Sequence, residues 1–315
     1  MTALHPQSQA VLDGFVAAWP TVDYDTITAA ELRSLMNGPS PFAAGDEVAS
    51  IEDLRIEGPG GPLRLRIYRP LTSSIGPLPV TLYFHGGGFV FGPVEGHDNV
   101  CRTLAHRAGT LVVSVDYRLA PEAPFPAALE DALTALEWVL DHAVDLGGDA
   151  ARIAVAGDSA GGNIATVLAH QAAERGIALR HQLLIYPVTD CRFDTGSYGS
   201  FAEGYLLSRP MMRWYWRQYL GDLAQAANPA ASPLRQQRLD AMPATTLLTA
   251  GFDPLRDEGR AYAQALNDAG VAVSWREWAD HIHGFVSMLG AIDAASEALD
   301  FGAQALRTAF AAEGN

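Results

Sequence analysis

Four short stretches of the chain carry side chains and glycines whose types and spacing could perform acyl transfer. Ser159 stands within Gly157-Asp158-Ser159-Ala160-Gly161, a spacing that suits a nucleophile held on a sharp strand-to-helix turn. His85-Gly86-Gly87-Gly88-Phe89 offers three successive glycines, whose N–H groups can converge on the oxygen that becomes negative as a carbonyl is attacked. The expected donors are Gly87 and Gly88, with the Ala160 N–H as a third. A serine hydroxyl is a weak nucleophile near neutral pH and needs a base, which in turn needs a carboxylate to orient it. Asp253 in Gly251-Phe252-Asp253-Pro254 and His283 in His281-Ile282-His283-Gly284-Phe285 supply both types, in the chain order Ser, Asp, His. Such a base works only when neutral, so activity is expected to rise with pH as the histidine loses its proton.

Each role has a competitor. Asp257 lies four residues after Asp253, but it is expected to cap a helix beginning near Glu258. Asp253 is nearer the end of its strand and is followed by Pro254, which fixes the turn, so Asp253 is preferred. His281 lies two residues before His283, and spacing alone leaves both open; Asp280 beside it could make a structural acid–histidine pair. His85 is expected to shape its own loop and Asp158 to serve as a hydrogen-bonding scaffold. His97, Cys101 and His106 are close enough in sequence to weigh as metal ligands, but they lack an evident fourth partner. Neither a metal nor a cofactor is expected.

The elements that must position these residues read as alternating strands and helices. Val80–Phe84, Leu111–Val115, Ile153–Ala156, Leu183–Tyr186, Thr245–Ala250 and Val271–Trp275 are short β-rich runs of the buried parallel type. Helical stretches lie between them, among them 127–142, 162–174 and 259–267. Repeated strand-helix-strand order means a mostly parallel sheet flanked by helices. Ahead of it, Val48–Glu57 and Leu63–Arg69 flank Gly58-Pro59-Gly60-Gly61, the signature of an antiparallel hairpin at one edge. The glycine loop, serine, aspartate and histidine then all fall just beyond carboxyl ends of strands, where open α/β sheets build their sites.

Residues 1–45 and 189–240 interrupt the alternation and are expected to form a helical cap. The catalytic domain would comprise 46–188 and 241–315. In the second cap segment Ser208 and Pro210 mark a helix start, after which Met212, Tyr215, Trp216 and Tyr219 fall on one helical face. That stripe reads first as packed cap core and second as a wall of the substrate site.

Composition narrows the function further. The 315 residues carry 36 acidic and 21 basic side chains, a formal charge of -15, which repels nucleic acid and anionic lipid alike. The expected partner is a neutral small molecule; a homodimer is a candidate assembly. The first residues show neither a basic start nor an apolar run of the secretory kind, and the chain has no apolar stretch of membrane-spanning length, so a cytoplasmic location is expected. Two cysteines, Cys101 and Cys191, are too few for a disulfide framework and are expected to be reduced.

Taken together, His85-Gly86-Gly87-Gly88, the run from Asp116-Tyr117-Arg118-Leu119-Ala120-Pro121-Glu122 to Phe125-Pro126-Ala127-Ala128, Gly157-Asp158-Ser159-Ala160-Gly161-Gly162, Asp253-Pro254-Leu255-Arg256-Asp257 and His283-Gly284-Phe285 resemble the bacterial hormone-sensitive-lipase-like esterases, also called family IV. The likeness runs over nearly the whole chain. It implies the α/β-hydrolase fold with a helical cap and a triad of Ser159, Asp253 and His283, which selects His283 over His281. It implies an oxyanion hole from the glycine loop and Ala160, a scaffold role for the 116–128 run, and hydrolysis of short- to medium-chain carboxylic esters. Amides or lactones on the same triad are the alternative substrates. Plant gibberellin receptors resemble these enzymes but lack the catalytic histidine, and His283 argues against such a binding role here. One departure stands out: Asp280 and His281 replace what is commonly a glycine and an apolar residue in relatives. An imidazole so near the base is expected to perturb the pH profile of activity.

Overall fold

The protein is described from a computed structural model covering residues 2–18, 20–36, 40–72 and 76–312. Residues 1, 19 and 37–39 of the expected cap segment, and 73–75 and 313–315 of the expected catalytic domain, lie outside the described residues.

The strands are β1 (Val48–Gly58), β2 (Gly61–Pro70), β3 (Leu78–Phe84), β4 (Leu111–Val115), β5 (Gly148–Asp158), β6 (His181–Ile185), β7 (Thr245–Phe252) and β8 (Val273–Ile282). They form one sheet in the order β1-β2-β4-β3-β5-β6-β7-β8. The first two make the expected hairpin, with Gly58 paired to Gly61, and β2 joins β4 antiparallel. Every other neighbouring pair is parallel, as crossovers through helices require.

The helices are α1 (Pro6–Ala18), α2 (Ala29–Met36), α3 (Asp98–Ala108), α4 (Ala127–His142), α5 (Ala160–Glu174), α6 (Gly196–Ser200), α7 (Arg209–Leu220), α8 (Arg256–Asp268) and α9 (Asp293–Ala311). Strand side chains alternate between two cores, as the pleat dictates. Val80, Leu82 and Phe84 join a cluster with residues of α4, α5, α7 and α8. Tyr83, Ala154 and Ala156 point the other way, into a cluster with α3, α9 and Leu12 of α1. Leu82 is wholly buried, and cutting such a side chain back to alanine costs about 2–5 kcal/mol. Among the described residues no helix is long and apolar enough to cross a membrane.

Two sequence expectations need correction. The sequence pattern predicts the last strand at Val271–Trp275, but β8 starts at Val273 and runs on to Ile282. Charged Arg276 and Glu277 hide this continuation in a hydrophobicity reading. They are tolerated because β8 is the sheet's edge, where Glu277 meets Arg260 of α8 at 2.7 Å. The helix after β7 begins at Arg256, so Asp257 lies inside its first turn and does not cap it. Asp257 instead accepts the Ser197 N–H at 2.8 Å and pairs with Arg256 at 2.8 Å, tying α6 to α8.

Candidate active site

Sheet register brings the chemistry-bearing segments together. Phe84 pairs with Gly157 across β3 and β5, so the glycine loop and the serine turn leave the sheet side by side. Ser159 sits between β5 and α5 with φ 55° and ψ -118°, a backbone region that costs a residue bearing a side chain about 1–3 kcal/mol. Its N–H is held by the Ile185 carbonyl at 2.9 Å. This turn presents Oγ at the amino end of α5, where Ala160 is the first helical residue and its N–H has no partner within the helix.

Phe252 pairs with Ile282 across β7 and β8. The next residues, Asp253 and His283, therefore meet: His283 Nδ1 lies 2.7 Å from Asp253 Oδ2, and His283 Nε2 lies 3.0 Å from Ser159 Oγ. Asp253 is fully buried, while Ser159 and His283 each keep 8% of their surface exposed. The other Asp253 oxygen accepts the Leu255 N–H at 2.8 Å, which caps the turn into α8 and fixes the carboxylate. A polarised hydroxyl, an imidazole and an orienting carboxylate in this sequence of contacts can run nucleophilic acyl transfer.

The glycine loop is held from below by Asp158. Its carboxylate accepts the Gly86 N–H at 2.9 Å and the Tyr83 hydroxyl at 2.6 Å, and faces His97 Nε2 at 3.3 Å. Burial alone would favour neutral forms, but the pair outweighs it: the His97 imidazole is raised above its ordinary range and the Asp158 carboxyl lowered. The scaffold role expected for Asp158 thus has definite partners. His85 bonds its own loop through the Gly86 carbonyl at 2.7 Å and stacks on Tyr117, whose hydroxyl donates to the His85 carbonyl at 2.7 Å. Burial, helped by His97, pushes the His85 imidazole down to about 4, so it stays neutral.

Gly88 takes φ 60°, and a Cβ there would come within 2.4 Å of the Tyr215 ring; α7 therefore lies directly over the loop. Tyr219 of the same helix stacks on Phe89 with centroids 3.7 Å apart. Met212, Tyr215, Trp216 and Tyr219 are all buried, so the stripe packs as core while Tyr215 also closes over the glycine loop. Trp214 Nε1 donates to the Ile27 carbonyl at 3.2 Å, joining the two segments set apart in the sequence.

His281 faces elsewhere. It hydrogen-bonds Ser8 Oγ through Nδ1 at 2.9 Å and stacks on Phe285, so the expected influence on the base has no direct contact behind it among the described residues. Burial lowers its affinity for a proton. The weighed metal set does not assemble: His97 is bound to Asp158, Cys101 is buried and His106 is exposed.

Three supports of the site escaped sequence reasoning: Tyr83, His97 and Arg33. Arg33 of α2 donates to the carbonyls of Val90 and Ala120 and pairs with Glu122 at 2.7 Å. Tyr83 lies two residues before His85 on a buried strand, where a hydroxyl needs a partner, and that was the available signal. Arg33 had none, since its partners lie far along the chain.

Comparison with known proteins identifies the family. A family model for the alpha/beta hydrolase fold matches residues 81–287. Esterase LipI of Mycobacterium tuberculosis is 44% identical over 260 residues, covering 82% of this chain and 81% of the relative. An ethyl acetate hydrolase of Pseudomonas putida is 40% identical, covering 89% and 90%. Among solved structures, an ester-hydrolase from the metagenome of Lake Arreo, complexed with a bipyridine phosphonate derivative, superposes with TM-score 0.93 at 39% identity, covering 98% of this chain and all of that one. A thermostable esterase from Pseudomonas putida gives TM-score 0.92 at 35% identity, with 99% of each chain covered. The chain belongs to the alpha/beta hydrolase fold family, as one of its bacterial hormone-sensitive-lipase-like esterases.

Proposed function

We propose that this esterase cleaves short- to medium-chain carboxylic esters through Ser159, His283 and Asp253. Ser159 Oγ attacks the ester carbonyl while His283 Nε2 takes its proton, and Asp253 holds the imidazole and steadies its positive charge. The carbonyl oxygen turns negative and is met by the N–H groups of Gly87, Gly88 and Ala160, at the amino end of α5. Collapse expels the alcohol, protonated by His283, and leaves an acyl-serine. Water then gives a proton to His283 as its oxygen bonds to the acyl carbon; the acyl–Oγ bond breaks, His283 returns the proton to Ser159 Oγ, and the acid leaves.

The observation that carries this reading is the continuous chain from Ser159 Oγ to His283 to Asp253 at 3.0 and 2.7 Å. The small substrate is supported by the name of the Pseudomonas relative, an ethyl acetate hydrolase, and by the bulky side chains of α7 over the glycine loop. We also assign residues 1–45 and 189–240 to a cap over the catalytic domain formed by 46–188 and 241–315; the Trp214–Ile27 bond supports the pairing of the two cap segments.

The test is hydrolysis of p-nitrophenyl esters of increasing acyl length by wild type and by Ser159→Ala, matched for folding by circular dichroism. Turnover favouring short or medium chains, lowered by about a millionfold in the variant, is expected. A well-folded wild type inactive on every ester would overturn the reading.

A further inference from the structure

We propose that His5, Asp280 and His281 form a site for one divalent transition-metal ion of the zinc, cobalt or nickel kind, separate from the triad. Each offers one ligand atom, and the three atoms lie within 4.8 Å of one another. Ligands about 2.0–2.1 Å from a tetrahedral ion stand roughly 3.3 Å apart, so closing the set needs an inward movement of about 1.5 Å at most.

The backbone already brings the two strands of chain together. The His5 N–H donates to the Asp280 carbonyl at 2.8 Å, and the two imidazole centroids are 4.8 Å apart. His281 is 4% exposed and Ser8 wholly buried. Their 2.9 Å hydrogen bond occupies Nδ1 of His281 and leaves Nε2, 3.6 Å from Asp280 Oδ1, for a metal. Metal-bound histidines ordinarily donate their other ring N–H to an oxygen acceptor, and Ser8 Oγ supplies one here. Among the described residues His5 Nδ1 accepts the Gln7 N–H, at a long 3.2 Å, a bond that an ion at either ring nitrogen would displace. Asp280 is half-buried and opens the third side to water.

The donor set chooses the ion. Two imidazoles and one carboxylate suit borderline transition metals, whereas magnesium and calcium prefer oxygen throughout. Bound there, the ion would fasten the segment before α1 to the end of β8, two residues ahead of His283.

The test uses the purified full chain, stripped with a chelator, titrated with zinc chloride by calorimetry and with cobalt chloride by visible absorption. One ion per chain, tetrahedral cobalt bands and a saturable rise in Tm are expected. His5→Gln and Asp280→Asn, both outside the core, should each weaken binding at least about tenfold, and Ser8→Ala by a similar factor. His283→Asn and His106→Gln should bind as wild type does. Absence of binding, unchanged affinity in both His5→Gln and Asp280→Asn, or loss of binding in His283→Asn would overturn the site, the last by placing the ion on the triad.

Discussion

Asp253 and His283 each stand one residue beyond a matched pair, Phe252 with Ile282, so the 2.7 Å bond between them is set by the register of β7 and β8. That register is interrupted just before the site. Ala250 pairs with Trp278 and Phe252 with Ile282, so β8 carries extra residues opposite Gly251. A bulge of this kind re-aims the residues that follow it, here the histidine of the site.

Asp253→Asn should keep the fold and lose the chemistry. The amide can still accept the Leu255 N–H through its oxygen, but it presents N–H where Nδ1 needs an acceptor and so favours the wrong tautomer. kcat should fall by about 10⁴-fold with KM little changed. A loss below tenfold would remove Asp253 from the proposed triad.

Gly251→Ala tests the bulge. A Cβ there would stand 2.0 Å from the Ala279 carbonyl oxygen, so β8 must retreat at the residues leading into His283. Retreat lengthens the Asp253 to His283 contact before it unfolds anything. kcat should drop at least about tenfold, since small misplacements of reacting groups cost that much or more, with a far smaller change in KM. Unchanged kcat would mean that His283 is positioned by its following turn and not by the strand.

The chemistry was legible in the sequence because its backbone demands are local. A serine on a strained turn needs small neighbours, and an oxyanion loop needs glycines, so both leave fixed spacing at Gly157 to Gly161 and Gly86 to Gly88. Most of the central sheet was legible for a related reason: strands buried on both faces are continuously apolar. The far half of β8 was not, because an edge strand can carry Arg276 and Glu277. The partner of Asp158 was also hidden. Spacing to Cys101 suggests His97 as a metal ligand, yet the residue before α3 and the last residue of β5 meet there through tertiary folding, which spacing does not encode. Arg33, bonded to Val90 and Ala120, is the same case at longer range.

Asp158→Ala should act on the glycine loop through its floor. Removal leaves the Tyr83 hydroxyl and Gly86 N–H buried without their acceptor and deprives His97 of its counter-charge. The cost should be about 3–5 kcal/mol of stability, with kcat reduced about 100-fold as the oxyanion donors lose their position. Asp158→Asn, which can still accept the Gly86 bond, should recover part of kcat at unchanged KM. Equal kcat in both variants would mean that the loop holds itself.

Stability should fall steeply as the solution becomes acidic, and two buried histidines set the window. Burial pushes His181 down to about 4, and burial with the charge of His97 does the same to His85, from an ordinary 6.5. Their folded values lie below the unfolded ones, so between 6.5 and 4 the unfolded chain takes up protons that the fold refuses. Each group thereby removes up to about 3 kcal/mol across that interval. His97 works with the opposite sign: its raised value contributes stability that is full below 6.5 and lost as pH rises through its folded value. The stability maximum should therefore lie near neutrality, with the descent on the acid side. Urea unfolding measured from pH 7 down to pH 4.5 checks this directly. His181 is wedged at the start of β6 against Thr246 Oγ1 at 3.0 Å, and His181→Gln can keep that contact without a titrating group. The variant should lose about one proton from the slope of stability against pH, and an unchanged slope would show that His181 gains its proton in the folded chain.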